Sequence, residues 1–164
     1  MLETEKIKLK LSTTNNLPLI IQIEKENSDF VDQYDLDRHK KVIADKNELH
    51  LSIFDKSDNS LVGYILLAGF SELNDSIEFR RIVISRKGSG FGRDAIKLTK
   101  DLCFKHYNMH RLWLDVFPEN KRAIRLYEAQ GFKKEGLLRD CLKRGKDYQS
   151  LWVMSILSSE FNSW

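Results

Sequence analysis

The stretch Asn120-Lys121-Arg122-Ala123-Ile124-Arg125-Leu126-Tyr127-Glu128-Ala129-Gln130-Gly131-Phe132 decides how this chain is read. It predicts a helix from about Glu119 to Gln130 that stops at Gly131, because glycine suits the left-handed position after a helix C-terminus. Asn120, Ala123 and Tyr127 fall on one face of that helix. Read alone, they are a capping Asn and a core Tyr. Immediately upstream, Leu112, Leu114 and Val116 alternate with Trp113 and Asp115, so Arg111 to Phe117 reads as a strand.

Further upstream lies a second motif, Lys87-Gly88-Ser89-Gly90-Phe91-Gly92-Arg93, between a strand at Ile77 to Ser85 and a long helix running to about Tyr107. Glycines let a backbone turn sharply and approach a phosphate, and the first N–H groups of the helix are unpaired and face it. Lys87 and Arg93 add positive charge beside that anion site. No Gly-Lys-Ser/Thr ending follows at Walker spacing. Glycine at alternate positions also departs from the dinucleotide fingerprint.

The rest of the chain supplies the sheet. Ile7, Leu9 and Leu11 alternate with lysines and open it with a half-buried strand. Asn15 or Asn16 caps a helix over Leu17 to Lys25, with Pro18 in its first turn, and a second helix spans Asp35 to Lys46. Leu49 to Phe54 and Leu61 to Ala68 flank a polar turn and read as an antiparallel hairpin. Phe132 to Leu142 and Tyr148 to Leu157 close the chain as two more strands. The expected fold is α/β (α+β), a single domain over 1–164 whose mixed, mostly antiparallel central sheet has about seven strands and flanking helices.

Composition narrows the class. With 164 residues, 41% hydrophobic and 31% charged, the chain is long enough for one core and too apolar for disorder. A net charge of +3, with 27 basic against 24 acidic residues, argues against nucleic acid. No apolar run approaches bilayer-spanning length, and the default expectation is a cytoplasmic protein. His39, His50, His106 and His110 show no ligand spacing and neither do Cys103 and Cys141, so no metal is expected.

A strand, an alternating-glycine turn, a helix, another strand and then Asn-x-x-Ala-x-x-x-Tyr-x-x-x-Gly-Phe resembles the GNAT superfamily of acetyltransferases. Within it, Gly136-Leu137-Leu138-Arg139-Asp140 and Gly145-Lys146-Asp147-Tyr148 resemble the branch of spermidine and ribosomal-protein N-terminal acetyltransferases. The resemblance implies that acetyl-CoA (coenzyme A) is the cosubstrate. It places the pyrophosphate on Lys87, Gly88, Ser89, Gly90, Phe91, Gly92 and Arg93. The backbone of Ile82, Val83 and Ile84 would pair with the pantetheine arm, with Asn120, Ala123 and Tyr127 alongside it. The first turn position is Lys87, where the family carries Gln or Arg, and only Arg86 separates it from Ser85.

Acetyl transfer from a thioester requires a neutral amine, donors for the tetrahedral oxyanion and a proton for the departing thiolate. The family position makes Tyr127 the general acid, and the Val83 N–H is the expected oxyanion donor. Glu78 is the expected base, on parity: it alternates with Ile82 and Ile84, which puts all three on one face of a regular strand. Glu26 or a water chain are the other routes for the proton.

The predicted function is therefore an acetyl-CoA-dependent N-acetyltransferase acting on a primary amine. The acceptor class is open between a polyamine, another small amine and a protein N-terminus. The acidic run Glu24, Glu26, Asp29, Asp32, Asp35 and Asp37 either welcomes a cationic amine or forms a solvated helix face. A homodimer is compatible with this reading, and a membrane partner is not expected. The competing reading is a non-catalytic acetyl-CoA-binding sensor, against which Asn120 and Tyr127 both argue.

Overall fold

A computed structural model describes residues 2–27, 29 and 31–162. The alternating segments pair into one sheet built from β1 (Leu2–Glu3), β2 (Ile7–Leu11), β3 (Glu48–Asp55), β4 (Leu61–Ala68), β5 (Ser76–Ile84), β6 (Arg111–Val116), β7 (Lys133–Arg144) and β8 (Asp147–Leu157). Their spatial order is β1-β2-β3-β4-β5-β6-β8-β7. Among the described residues the sheet has eight strands, in keeping with the seven or so expected, and the shortest is the two-residue β1, whose Leu2 faces Leu9.

Every neighbouring pair is antiparallel except β5 and β6. That exception follows from the chain, because the helix α3 (Phe91–Asp101) carries it back across the sheet before β6 begins, and such a crossover returns a strand parallel. The helix expected to reach Tyr107 ends at Asp101. A π-helical turn, Leu102–His106, continues it, with the Tyr107 N–H donating to the Leu102 carbonyl at 3.1 Å.

Two apolar layers cover the sheet. One face packs Ile65, Leu67, Ile77, Phe79, Leu112 and Leu114 against Ala95 and Ile96 of α3 and against Ile124 and Tyr127 of α4 (Lys121–Ala129). The other packs Tyr64, Leu66 and Val83 against Leu17, Ile20 and Ile23 of α1 (Leu17–Glu26) and Val42 of α2 (Leu36–Ala44). Each of the fully buried Leu, Ile and Val side chains among them stabilises the fold by about 1.5–3 kcal/mol. The closing helix α5 (Ser158–Asn162) follows β8. Among the described residues, no helix is long and apolar enough to cross a membrane.

Candidate active site

Strands β5 and β6 hydrogen-bond only over three rungs, Ser76↔Arg111, Ile77↔Leu112 and Glu78↔Trp113. Beyond them the strands part, although β5 continues to Ile84 and β6 to Val116. A sheet that opens this way leaves backbone donors and acceptors unpaired on facing edges, which is a ready binding slot for an extended ligand. A cavity of about 270 Å³ occupies the opening, lined among others by Phe79, Arg80, Ile82, Asp115, Asn120 and Tyr127.

The glycine turn lies beyond the cavity, at the far end of β5. Gly88 (φ 83°) and Gly90 (φ 85°) both take left-handed conformations that side-chain-bearing residues disfavour. A Cβ at Gly88 would meet nothing within 4 Å, so the turn presents bare backbone to the outside. Gly90 is the N-cap of α3, and the Phe91 N–H at the start of the helix donates to the Ser89 hydroxyl at 3.4 Å, while a helix N-terminus in general leaves its first-turn N–H groups without intrahelical partners. Lys87 and Arg93 are exposed and enter no ion pair among the described residues, so both remain available to phosphates. Arg86 instead anchors the short lead-in. Its guanidinium pairs with Asp55 and, at 2.8 Å, with Asp58, which ties this segment to the β3–β4 turn. Gly92 serves packing, since a Cβ there would come within 3.2 Å of Leu126 Cδ2 on α4.

The register corrects two expectations about β5. The Ser85 N–H donates to the Val62 carbonyl at 2.8 Å, and the same alternation directs the N–H and C=O of Val83 toward Tyr64 on β4. Val83 therefore cannot offer its N–H as the oxyanion donor or its backbone to a ligand in the opening. Ile82 and Ile84 present theirs on the β6 side. The second correction concerns parity. A bulge doubles Arg80 and Arg81 against Leu66, so the alternation shifts within the strand. Glu78, between the core residues Ile77 and Phe79, points to the face opposite Ile82 and Ile84, which pack on that core.

Helix α4 delivers the second motif. Asn120 is its N-cap, with Oδ1 accepting from the Ala123 N–H at 3.3 Å, and the residue lines the cavity. Ala123 packs on the core rather than lining the cavity. Tyr127 is 8% exposed, edge-on to Phe79 at 6.3 Å and tilted against Phe132 at 5.7 Å. No group among the described residues hydrogen-bonds its hydroxyl. Burial first, and the Asp115 charge second, push its phenol above the ordinary value of 10.

Two carboxylates stand on the opposite face. Glu78 Oε2 accepts from Arg80 Nε at 3.0 Å and from Nη2 at 2.9 Å, and Arg80 Nη1 also donates to Glu48 at 2.7 Å. Asp115 sits on β6 just past the last rung, exposed to the cavity and without an ion pair among the described residues. Glu26 is remote: it ends α1, exposed, and accepts from Gln22 at 3.0 Å.

One cluster has no signature in the sequence. Glu24, one of the acidic run, is fully buried. Its carboxylate accepts from the Tyr64 hydroxyl, from Arg81 Nη1 at 2.9 Å and from the Tyr34 N–H at 3.0 Å. His39 Nε2 lies 3.2 Å away, off the line of a good hydrogen bond. His39 then meets His50 at 3.0 Å, His50 meets Ser12 at 2.8 Å, and Ser12 meets Ser52 at 2.6 Å. The apolar spacing of Leu17, Ile20 and Ile23 could have placed Glu24 beside the buried face, but nothing local announced its partners.

Burial, reinforced by the charge of His39, lowers the His50 pKa from 6.5 to about 3. The unfolded chain then binds more protons than the folded one between those values. Stability is complete above pH 6.5 and falls as the pH drops toward 3. From pH 7 to pH 5 this one group should cost the folded state about 2 kcal/mol. Urea midpoints at both pH values check this, and a His50→Gln variant with the same slope as the native protein would refute it.

Comparison with known proteins adds a family match. Residues 17–132 fit the family model described as Acetyltransferase (GNAT) family. A spermidine N(1)-acetyltransferase of Vibrio cholerae is 34% identical over 125 residues, 75% of this chain and 71% of that protein. The crystal structure of spermidine N-acetyltransferase from Vibrio cholerae in complex with CoA and spermine superposes with a TM-score of 0.86, at 27% identity, covering 97% of this chain and 99% of that one. A dodecameric structure of spermidine N-acetyltransferase from the same organism gives 0.82 at 28% identity, covering 96% and 97%.

Proposed function

Since this chain belongs to the GNAT acetyltransferase family and is an acetyl-CoA-dependent N-acetyltransferase, we propose that it acetylates a polyamine-class primary amine across the opening between β5 and β6. The observation that carries this is the two-sided geometry of that opening. Tyr127 reaches it from the α4 face, while Glu78, Arg80 and Asp115 lie on the other. A thioester entering along one face and an amine along the other would meet where the strands part. The relatives that act on spermidine supply the acceptor class.

Acetyl-CoA would supply the activated acetyl group. The backbone of Gly88, Ser89 and Gly90 and the first turn of α3 would hold its pyrophosphate, with Lys87 and Arg93 at the rim. Ile82 and Ile84 would offer main-chain groups to the pantetheine, Asn120 its side-chain amide, and Tyr127 a proton to the leaving sulfur. Glu78 would fix Arg80 on the acceptor face. Leu137, Leu138 and Tyr148 of the β7–β8 hairpin are 41–56% exposed, which supports self-association through that hairpin.

The direct test is thiol release from acetyl-CoA over a panel of polyamines, other amines and peptide N-termini. Turnover with spermidine or spermine above all others is expected. Turnover only with peptides would replace the acceptor, and binding without turnover would favour a sensor. The cradle has its own test in Gly88→Asp. Aspartate tolerates the left-handed conformation better than most residues, and there is open space for its carboxylate. Repulsion of the pyrophosphate should weaken acetyl-CoA binding at least tenfold, or about 1.4 kcal/mol. Unchanged affinity by calorimetry in the folded variant would move the phosphate site elsewhere.

A further inference from the structure

We propose that Asp115 takes the proton from the incoming ammonium and presents the neutral amine to the thioester. The assignment rests on the N-acetyltransferase reading above. An alkyl ammonium has no lone pair to attack with and is mostly protonated at neutral pH, so a nearby acceptor must be ready when the amine docks.

Asp115 follows Trp113 by two residues, just past the last rung shared with β5, so it stands where the strands begin to diverge. Leu114 and Val116 on either side of it are buried in the α3–α4 core, which turns Asp115 to the opposite face. Tyr127 belongs to that core. Proton acceptor and proton donor therefore address one cavity from its two sides.

Asp115 is also free to accept a proton. Glu78 holds Arg80 through two hydrogen bonds, whereas Asp115 has no ion pair among the described residues. The charged and titratable groups facing it are Glu78 and Arg80 from β5 and Tyr127 from α4, with Arg81, Arg144 and Asp32 on the same cavity wall. Desolvation and then the Glu78 charge push its carboxyl above the ordinary 3.8, against a smaller pull from Arg80. A carboxylate so placed binds a proton more readily than one in water.

The step balances without any further reagent. An ammonium N–H proton passes to Asp115 Oδ, and the freed nitrogen pair forms the C–N bond to the acetyl carbon. The C–S bond breaks with its electron pair on sulfur, which takes the phenolic proton of Tyr127. The remaining surplus N–H proton returns to the phenolate, directly or through water, and Asp115 releases its own to solvent. One proton leaves per amide formed. The two groups also assist each other. The negative Asp115 opposes ionisation of Tyr127, so once Asp115 is protonated, Tyr127 becomes the better acid.

The test compares Asp115→Asn with Glu78→Gln, using spermidine over pH 6 to 10, beside unfolding curves and coenzyme A titrations. For Asp115→Asn, kcat/KM should fall at least tenfold at pH 7 and recover as the pH approaches the amine pKa, with coenzyme A affinity unchanged. Glu78→Gln should lose less and keep the native pH profile. Carboxyl carbon NMR on the unaltered protein should show Asp115 titrating above 3.8, a readout that stands even if a variant misfolds. Native-like rates for Asp115→Asn at every pH, the pH-dependent loss appearing in Glu78→Gln instead, or an Asp115 titration at or below the ordinary value would each overturn the assignment. A native protein that releases no thiol with any amine would overturn the enzymatic reading, and this assignment with it.

Discussion

Replacing Glu24 by alanine should destabilise the protein by about 3–5 kcal/mol, because it leaves a buried cation without its counter-charge. Glu24 is fully buried and is the acceptor for Tyr64, Arg81 and the Tyr34 N–H. Removing it strands Arg81, whose guanidinium side chain is only 11% exposed, and orphans the buried Tyr64 hydroxyl. Glu24→Gln keeps the shape and some acceptor capacity, so its loss should be smaller. Chemical denaturation at pH 7 measures both, and a loss below about 1 kcal/mol for alanine would show that the cluster is not a stabilising unit.

The effect reaches the site as well. Arg81 also donates to the Asp32 carbonyl at 2.7 Å, and Asp32 pairs with Arg144 of β7 at 3.0 Å. Loosening Arg81 should therefore loosen one wall of the cavity. The pH dependence has a definite sign. Burial raises the Glu24 carboxyl, but its contacts with His39, Tyr64 and Tyr34 outweigh that and hold it below 4.5. Its contribution is thus complete above 4.5 and fades as the pH falls through the lower folded value.

Tyr127→Phe should cut turnover at least tenfold, toward the hundredfold typical of a lost general acid. A tenfold loss is about 1.4 kcal/mol in the barrier. The change removes only the hydroxyl. The ring contacts with Phe79 and Phe132 persist, and the hydroxyl has no partner to lose among the described residues, so the melting temperature should hardly move. Acetyl-CoA affinity should hold too, because the phosphate contacts proposed above are at the glycine turn, away from this hydroxyl. The decisive measurement is kcat in chemistry-limited conditions. Native turnover in the Phe variant would make Tyr127 a packing residue and leave water as the proton source.

Local signals were enough for much of this protein. Alternating residues defined the strands, glycine marked the turn with its two left-handed residues, and Asn120 announced both a helix cap and the start of the Asn–Tyr motif. These features depend on residues within a turn or two of one another, which is the range over which sequence pattern and backbone geometry are coupled.

Tertiary structure decided the rest, for three physical reasons. A bulge at Arg80 is created by the register against β4, and it moved Glu78 to the other face from the one strict alternation gives. The orientation of the Val83 backbone depends likewise on which partner the strand selects. Asp115 reads as one more polar residue in an alternating strand, and it gains meaning only where β5 and β6 stop pairing. Glu24 looked like surface because its charge could not be matched locally. Its neutralising partner Arg81 is 57 residues away, on the strand across which α1 packs. A buried charge is tolerated only when distant groups meet it.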